Sequence, residues 1–281
     1  MIELLKFCKT DRQKEVIKLL SELGSTQLVA EALGIRARSV RKIRQRVEGM
    51  SGVKRTSKSR VGIIGDTHVP YEHRDYLDFC KKTFKKHRVD TIIMIGDLVD
   101  HHALSFHDSE PSLKGASGEY IDARERLRPW YKAFPSCTVI LGNHDKIPQR
   151  QLNKIGIDAD VWMRPIDDVY EFPKGWKTET EVKIDGVLYH HGETAGGVNG
   201  FRNDAIHRMC NTVSGHNHSN AGISATASQH RLVWGMAVGC GVDNKSMAFV
   251  YGKHFKNKPI IACGTVLEGA PQIHYMDLGE D

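Results

Sequence analysis

Five times along the chain a short run rich in β-branched residues ends abruptly at a glycine beside Asp, Asn or His, and this repeated junction restricts the fold more than anything else. Val61-Gly62-Ile63-Ile64 runs into Gly65-Asp66-Thr67-His68, and Thr91-Ile92-Ile93-Met94-Ile95 into Gly96-Asp97-Leu98-Val99-Asp100. Thr138-Val139-Ile140-Leu141 runs into Gly142-Asn143-His144-Asp145, Gly186-Val187-Leu188-Tyr189 into His190-His191-Gly192-Glu193, and Thr212-Val213-Ser214 into Gly215-His216-Asn217-His218. Runs of this kind read as buried strands. Helical stretches over 72–87 and 117–133 separate the first three, so strand and helix alternate, the order in which ligands collect beyond the carboxyl ends of strands. Further strands are expected over 223–228, 231–240, 247–251 and 260–267, with Gly239 and Gly241 at a bend. The expected class is α/β in the form of an α+β sandwich, two packed β-sheets flanked by helices.

The ordered series D-x-H, G-D-x-x-D, G-N-H-D, H-G and G-H-x-H between Asp66 and His218 resembles the calcineurin-like metallophosphoesterase superfamily, and the whole chain is most similar to phage-encoded members of it. The resemblance implies the four-layer fold of that superfamily and hydrolysis of a phosphoester by two divalent cations. Cations about 3.5 Å apart need a bridging carboxylate, because only an anion with two oxygens offsets both charges, and Asp97 fits. Resemblance and chemistry together give Asp66, His68 and His218 to one metal and Asn143, His191 and His216 to the other. His191 is preferred to His190 because the histidine directly before glycine matches the family pattern. Imidazole and carboxylate donors without thiolate suit Mn²⁺, Fe or Zn²⁺, manganese being the first expectation. A water between the cations would attack phosphorus in line, His144 would protonate the leaving oxygen, Asp145 would orient the His144 ring, and Asp100 would support it. His73, His87, His207, His230, His254 and His274 are expected to be ordinary core or surface residues. His101, His102 and His107 stay open between phosphate contact and loop surface.

Charge is placed unevenly. Through Arg60 there are 15 Lys and Arg against 6 Asp and Glu, a balance of +9, so the remainder carries −3 of the net +6. A basic head on a mildly acidic body is the asymmetry expected of a module that meets a polyanion. Asp11 to Leu23 reads as an amphipathic helix with Val16, Leu19, Leu20 and Leu23 inward, opened at Thr10-Asp11 and closed by Gly24. Ser25-Thr26 caps a second short helix, Gly34 ends it, and a third starts near Ala37 with Val40, Ile43 and Val47 inward. Residues 26–45 resemble a helix-turn-helix, whose third helix would present Arg38, Arg41, Lys42, Arg44 and Arg46, with Arg36 just before it, to phosphates and base edges of DNA. A helical bundle for oligomerisation is the other reading. The domains expected are therefore 1–48 for DNA binding, a flexible linker over 49–60, and the phosphoesterase over 61–281.

No apolar run approaches the roughly 20 residues of a membrane-spanning helix, and the first residues lack the apolar region of a signal peptide. The six cysteines form no C-x-x-C pair, which argues against a disulfide framework or zinc ribbon and for reduced thiols in a cytoplasm, that of the host if the chain is phage-encoded. Phosphoprotein phosphatases of the superfamily carry Arg after G-D-x-x-D and Glu after G-N-H, where this chain has His101 and Asp145. The double-strand-break nucleases carry His at the place of Asp100. The leading expectation is a metal-dependent DNA endonuclease that nicks one strand, with a homodimer left open. The alternatives are a nucleotide phosphodiesterase or phosphomonoesterase with a regulatory head, and a DNA-binding regulator with a vestigial site.

Overall fold

The computed structural model describes residues 2–50, 58–106, 113–194, 196–243 and 258–279; the expected strand at 247–251, His107, His254 and linker positions 51–57 lie outside them. The chain divides into two compact units, Met1–Ser57 and Lys58–Asp281.

The first unit is helical. A 3₁₀ turn (Ile2–Phe7) precedes α1 (Asp11–Leu23), α2 (Thr26–Ala32) and α3 (Ala37–Met50). Thr10 caps α1 by accepting the Gln13 N–H while the Gln13 side chain bonds back to the cap backbone, and Gly24 ends the helix at φ 67, left-handed geometry that glycine adopts without penalty. Ser25 caps α2 through the amides of Gln27 and Leu28. Val16, Ile17, Leu20, Val29, Ala30, Val40 and Val47 form the core, each full burial of a Val, Leu or Ile being worth about 1.5–3 kcal/mol. Ile17 takes the place expected for Leu23, which is 40% exposed, because the chain turns away at Gly24 before the last turn of α1 reaches the core. Arg36, Arg38, Arg41 and Lys42 are exposed and Arg44 is half-buried, while the side chain of Arg46 lies outside those described. α3 continues to Met50, so the first two residues assigned to a linker are helical.

The second unit begins with β1 (Arg60–Ile64), α4 (Tyr76–Lys86), β2 (Thr91–Met94), α5 (Ala116–Ala133) and β3 (Cys137–Ile140). Three short helices follow, α6 (Ile147–Lys154), α7 (Ala159–Trp162) and α8 (Ile166–Val169), then β4 (Trp176–Glu179), β5 (Glu181–Ile184) and β6 (Val187–His190). The last elements are α9 (Gly200–Arg208), β7 (Asn211–Ser214), β8 (Ala221–Ala227), β9 (Leu232–Val238), β10 (Ala262–Leu267) and β11 (Ala270–Tyr275). One sheet has the order β11-β10-β1-β2-β3-β4, the other β5-β6-β7-β9-β8. β1, β2, β3 and β4 run parallel, as do β6, β7 and β9, which brings the glycine junctions of each sheet to one edge.

Strand alternation assigns the faces. Val61, Ile63, Ile93, Ile95 and Ile140 of the first sheet meet Val187, Tyr189, Val213, Trp234 and Met236 of the second in one core. On the other face Ile64, Met94 and Val139 pack with Tyr76, Phe84, Leu127 and Trp130 of α4 and α5. α9 lies against β7, β8 and β9. This is the mixed α/β arrangement of two packed sheets and helices. α4 starts four residues later than the pattern suggests, because His73 gives its N–H to Gly241 O and Glu72 bridges to Val242. Among the described residues no helix is long and apolar enough to cross a membrane.

Candidate metal centre

Ligand positions arise where the strands stop. After β1 the chain carries Asp66 and His68, after β2 Asp97 and Asp100, and after β3 Asn143 and His144; the second sheet supplies His191 after β6, then His216 and His218 after β7. Main-chain bonds lock these loops together: His68 N–H to Asp97 O at 2.9 Å, Gly215 N–H to His191 O at 2.9 Å, and Gly241 N–H to Asp66 O at 2.7 Å. Carboxylates also clamp neighbouring loops. Asp66 Oδ2 accepts the His216 N–H at 2.7 Å, and Asp97 Oδ1 accepts the His144 N–H at 2.8 Å. A Cβ at Gly142 would collide with Asp97 Oδ1 and one at Gly215 with Asp66 Oδ1, so glycine is required there by close approach. His68, Asp97 and His216 all have φ between 46 and 67, an unusual backbone for such side chains and one that concentrates at functional sites.

Donor atoms form three groups: His68, Asp100 and His144 make one, and the other two share Asp97. Asp66, His68, Asp97 and His218 offer atoms within 4.8 Å of one another, as do Asp97, His191 and His216. Asp97 Oδ2 is 3.5 Å from His68 Nε2 and 3.2 Å from His191 Nε2, a carboxylate oxygen facing both groups. His68 Nε2 is 3.0 Å from His218 Nε2, His191 Nε2 is 3.2 Å from His216 Nδ1, and Asn143 Oδ1 is 3.0 Å from His191 Nε2. The seven residues expected as ligands thus come to one place. Asp66 Oδ1 is buried without a hydrogen-bond partner, and such an orphaned anion, among imidazole nitrogens crowded this closely, is what a divalent cation satisfies.

Other groups fix the ring orientations. Asp100 Oδ1 lies 2.6 Å from His68 Nδ1, which turns Nε2 toward the cluster, and Ile95 O does the same for His191 at 3.2 Å from its Nδ1. Burial lowers the pKa of His68 and of His216, favouring the neutral imidazole that serves as a ligand. Around Asp97 burial opposes ionisation, but His191 and then His68 outweigh it and hold the carboxyl well below its usual range.

Asp145 differs from the sequence reading. His144 Nδ1 is 2.7 Å from Asp100 O and 3.2 Å from Asp100 Oδ1. Burial disfavours its charged form, yet the Asp100 hydrogen bond and the charges of Asp97 and Asp100 lift it to about 9. Asp145 does not orient that ring: its oxygens accept the amides of Val99 at 3.1 Å and Gly142 at 2.9 Å. Burial, then the charge of Asp97, push the Asp145 carboxyl up to about 7. The orienting part therefore belongs to Asp100, one strand over. A carboxylate beside His144 in sequence looked better placed, but it turns under the loop to tie two glycine junctions together.

His101 is not free loop surface, its ring being held by His144 O and the Tyr170 hydroxyl, each at 2.9 Å. His102 is buried. His190 points the other way from His191, with Nε2 2.8 Å from Asp204 Oδ2 on α9. His87 packs against His274 with tilted rings, 4.6 Å between centroids, and His207 and His230 are exposed. Asp204 and Tyr170 escaped the sequence reading because neither adjoins a glycine junction.

These features find a match in known proteins. The chain belongs to the calcineurin-like phosphoesterase family, whose pattern matches residues 59–229. It is accordingly a phosphoester hydrolase that depends on divalent metal. No curated protein matches the chain. Among solved structures it is similar to a metallophosphoesterase from Sphaerobacter thermophilus, with 16% identity over 78% of this chain and 88% of that one and a TM-score of 0.41. It is also similar to vacuolar protein sorting 29 from Cryptosporidium parvum, with 10% identity, 80% and 100% coverage and a TM-score of 0.39. The nuclease MPE of Pseudomonas putida gives 12% identity, 77% and 87% coverage and a TM-score of 0.35. Likenesses this remote decide nothing about substrate.

Proposed function

We propose that the chain is a DNA phosphodiesterase, an endonuclease that nicks one strand, working in the cytoplasm of a phage host. The single observation that carries this reading is the location of charge: all the net positive charge falls in the stretch ending at Arg60, ahead of the glycine junctions, and much of it on the exposed side of α3. Arg36, Arg38, Arg41, Lys42, Arg44 and Arg46 would meet the backbone and bases of a duplex, the first unit acting as a helix-turn-helix domain over 1–48 joined through 49–60 to the phosphoesterase over 61–281. Tethering a DNA-reading unit to the hydrolase raises the concentration of phosphodiester at its centre. A monomer with one centre cuts one strand per event, and a homodimer would be needed for paired cuts. Six cysteines, all free, support a reducing compartment.

Two cations, Mn²⁺ first and Fe or Zn²⁺ otherwise, would be held by Asp66, His68 and His218 and by Asn143, His191 and His216, with Asp97 between them. Metal held there supplies an acidified water and offsets charge on the phosphoryl oxygens. The remaining work falls to the chain. Asp100 fixes both His68 and His144, and His144, held at Nδ1 by Asp100 O, gives a proton to the leaving oxygen. Asp145 keeps the Asn143-His144 turn in register with Val99 and Gly142.

The test is conversion of supercoiled plasmid to open circle with Mn²⁺ beside an Asp97→Asn control. Nicking by the native chain and not by the variant is expected. Intact plasmid together with metal-dependent release of dye from a phosphomonoester would move the activity to a phosphatase.

A further inference from the structure

Beside the centre lies a cavity of about 230 Å³ bounded by the segment between β3 and β4, by the start of α5 and by the turn after β2. His101 and Asp145, the sequence neighbours of Asp100 and His144, form part of its wall. Most of the remainder is apolar or aromatic, with Leu104, Met163, Tyr120 and Tyr170 among its contributors. The two tyrosine rings stand 5.6 Å apart at 58°. Whole sites for drug-sized ligands measure roughly 300–1,000 Å³, so this cavity suits one ring system and not a complete nucleotide or a base pair.

Charge decides which part of a nucleotide enters. Glu119 and Asp145 belong to the wall and give a phosphate no fixed positive charge to pair with. Their oxygens already accept amide N–H groups: His102 and Ala103 donate to Glu119, Val99 and Gly142 to Asp145. Tyr120 gives its hydroxyl proton to Val169 O, and the Tyr170 hydroxyl is engaged by His101. Little polar capacity is left for reading a base edge, and most of the rest of the wall is apolar or aromatic side chain. Arg164 also lines the cavity, is exposed, and has no hydrogen bond or ion pair among the described residues. A flat neutral ring inside with an anion at a free guanidinium on the rim is the pattern of a nucleobase and its adjoining phosphate. Trp162, 76% exposed and next to Met163, offers a further stacking face for the following base.

We infer that this cavity takes one unpaired nucleobase next to the phosphodiester being cut, with Arg164 pairing to the neighbouring phosphate, so that the substrate is single-stranded or locally opened nucleic acid without strong base preference. The inference rests on the nucleic-acid reading above and narrows it. A base still paired in a duplex cannot enter, and the strand must unstack there or be single already.

The test is equilibrium binding of the intact chain, without added metal so that nothing is cut, to two fluorescent strands: a thymidine hexanucleotide and the same sugar-phosphate backbone lacking bases. The base-bearing strand is expected to bind about tenfold more tightly. Ala116→Trp, which fills the cavity from α5, should bring the two affinities together, and Met163→Trp fills it from the opposite wall if the first variant does not fold. Arg164→Ala, a change at an exposed side chain, should weaken both strands and reduce the salt slope by about 0.7. Equal binding of the two strands by the native chain, or a base preference that filled variants retain, overturns the cavity assignment. Failure of plasmid nicking with the base preference intact would overturn the hydrolytic reading and leave this one standing.

Discussion

The two units of the chain keep their charge in opposite places. In the first, the core is aliphatic, Gln13 is the one buried polar residue among those described, and Arg38, Arg41 and Lys42 of α3 lie outward. In the second, Asp66, Glu72, Asp97, Asp100, Glu119 and Asp145 are all buried, with His68, His102, His190 and His191 among them. Charge on a surface acts at a distance and is screened by salt. Charge inside acts over a few ångströms, lowers stability unless it is paired, and can do chemistry. A single chain thus keeps basic side chains on the surface of one unit and ionisable side chains in the interior of the other.

The largest expected effect comes from the shared interior carboxylate. Asp97→Asn should reduce hydrolysis of a diester by at least about 10³-fold, since both donor clusters lose their common member, while DNA binding measured by anisotropy stays within about twofold. Loss of both together would erase the division between the units. His144→Gln should lower kcat by about 10²-fold with an alkoxide leaving group and far less with p-nitrophenolate, which leaves without a proton. Equal losses on the two substrates would take the general-acid role away from His144.

Interior charge also predicts a pH dependence. Glu72 is buried, and although Arg126 Nε holds Oε1 at 2.8 Å, Oε2 has no partner; burial outweighs the pair and pushes the carboxyl up to about 7. A carboxyl raised above its unfolded value of about 4.5 binds its proton more tightly in the folded state, so its contribution to stability is greatest below pH 4.5 and is lost as pH climbs toward and past 7. Relative to Glu72→Gln, which carries no such proton, the native chain should lose about 2–3 kcal/mol over that window in urea titrations. Parallel curves would remove the burial penalty assigned to Glu72. The smallest effect belongs to the exterior: Arg41→Ala with Arg44→Ala should weaken duplex binding roughly tenfold and shallow the salt slope by about 2, with hydrolysis of a small diester unaltered. An unchanged slope would show that α3 meets something other than DNA.

Legibility in the sequence also divided along these lines. Thr10, Gly24 and Ser25 set the helix ends of the first unit through local caps, so its elements followed from neighbouring residues. In the second unit the glycine junctions exposed the donors that converge, because each of them sits where a parallel strand stops. The hairpins were missed. β5 and β6 are joined at Asp185-Gly186 and β10 and β11 at Glu268-Gly269, both with positive φ at the two turn residues, and D-G was a readable signal for such a turn. What no local pattern could supply was the pairing of distant groups. That Asp100 rather than Asp145 governs His144, and that Tyr170 reaches His101, depends on which loops the sheet places side by side.

His190 and His191 are chemically identical neighbours at the end of β6, yet one faces α9 and the other the donor cluster. Nothing in either side chain decides this; the twofold period of the strand does. A single residue inserted between Val187 and Tyr189 would move His190 to the face that His191 now takes and set Tyr189 opposite Asp204. Odd and even numbers of residues along one strand therefore decide which of the two faces the donor cluster.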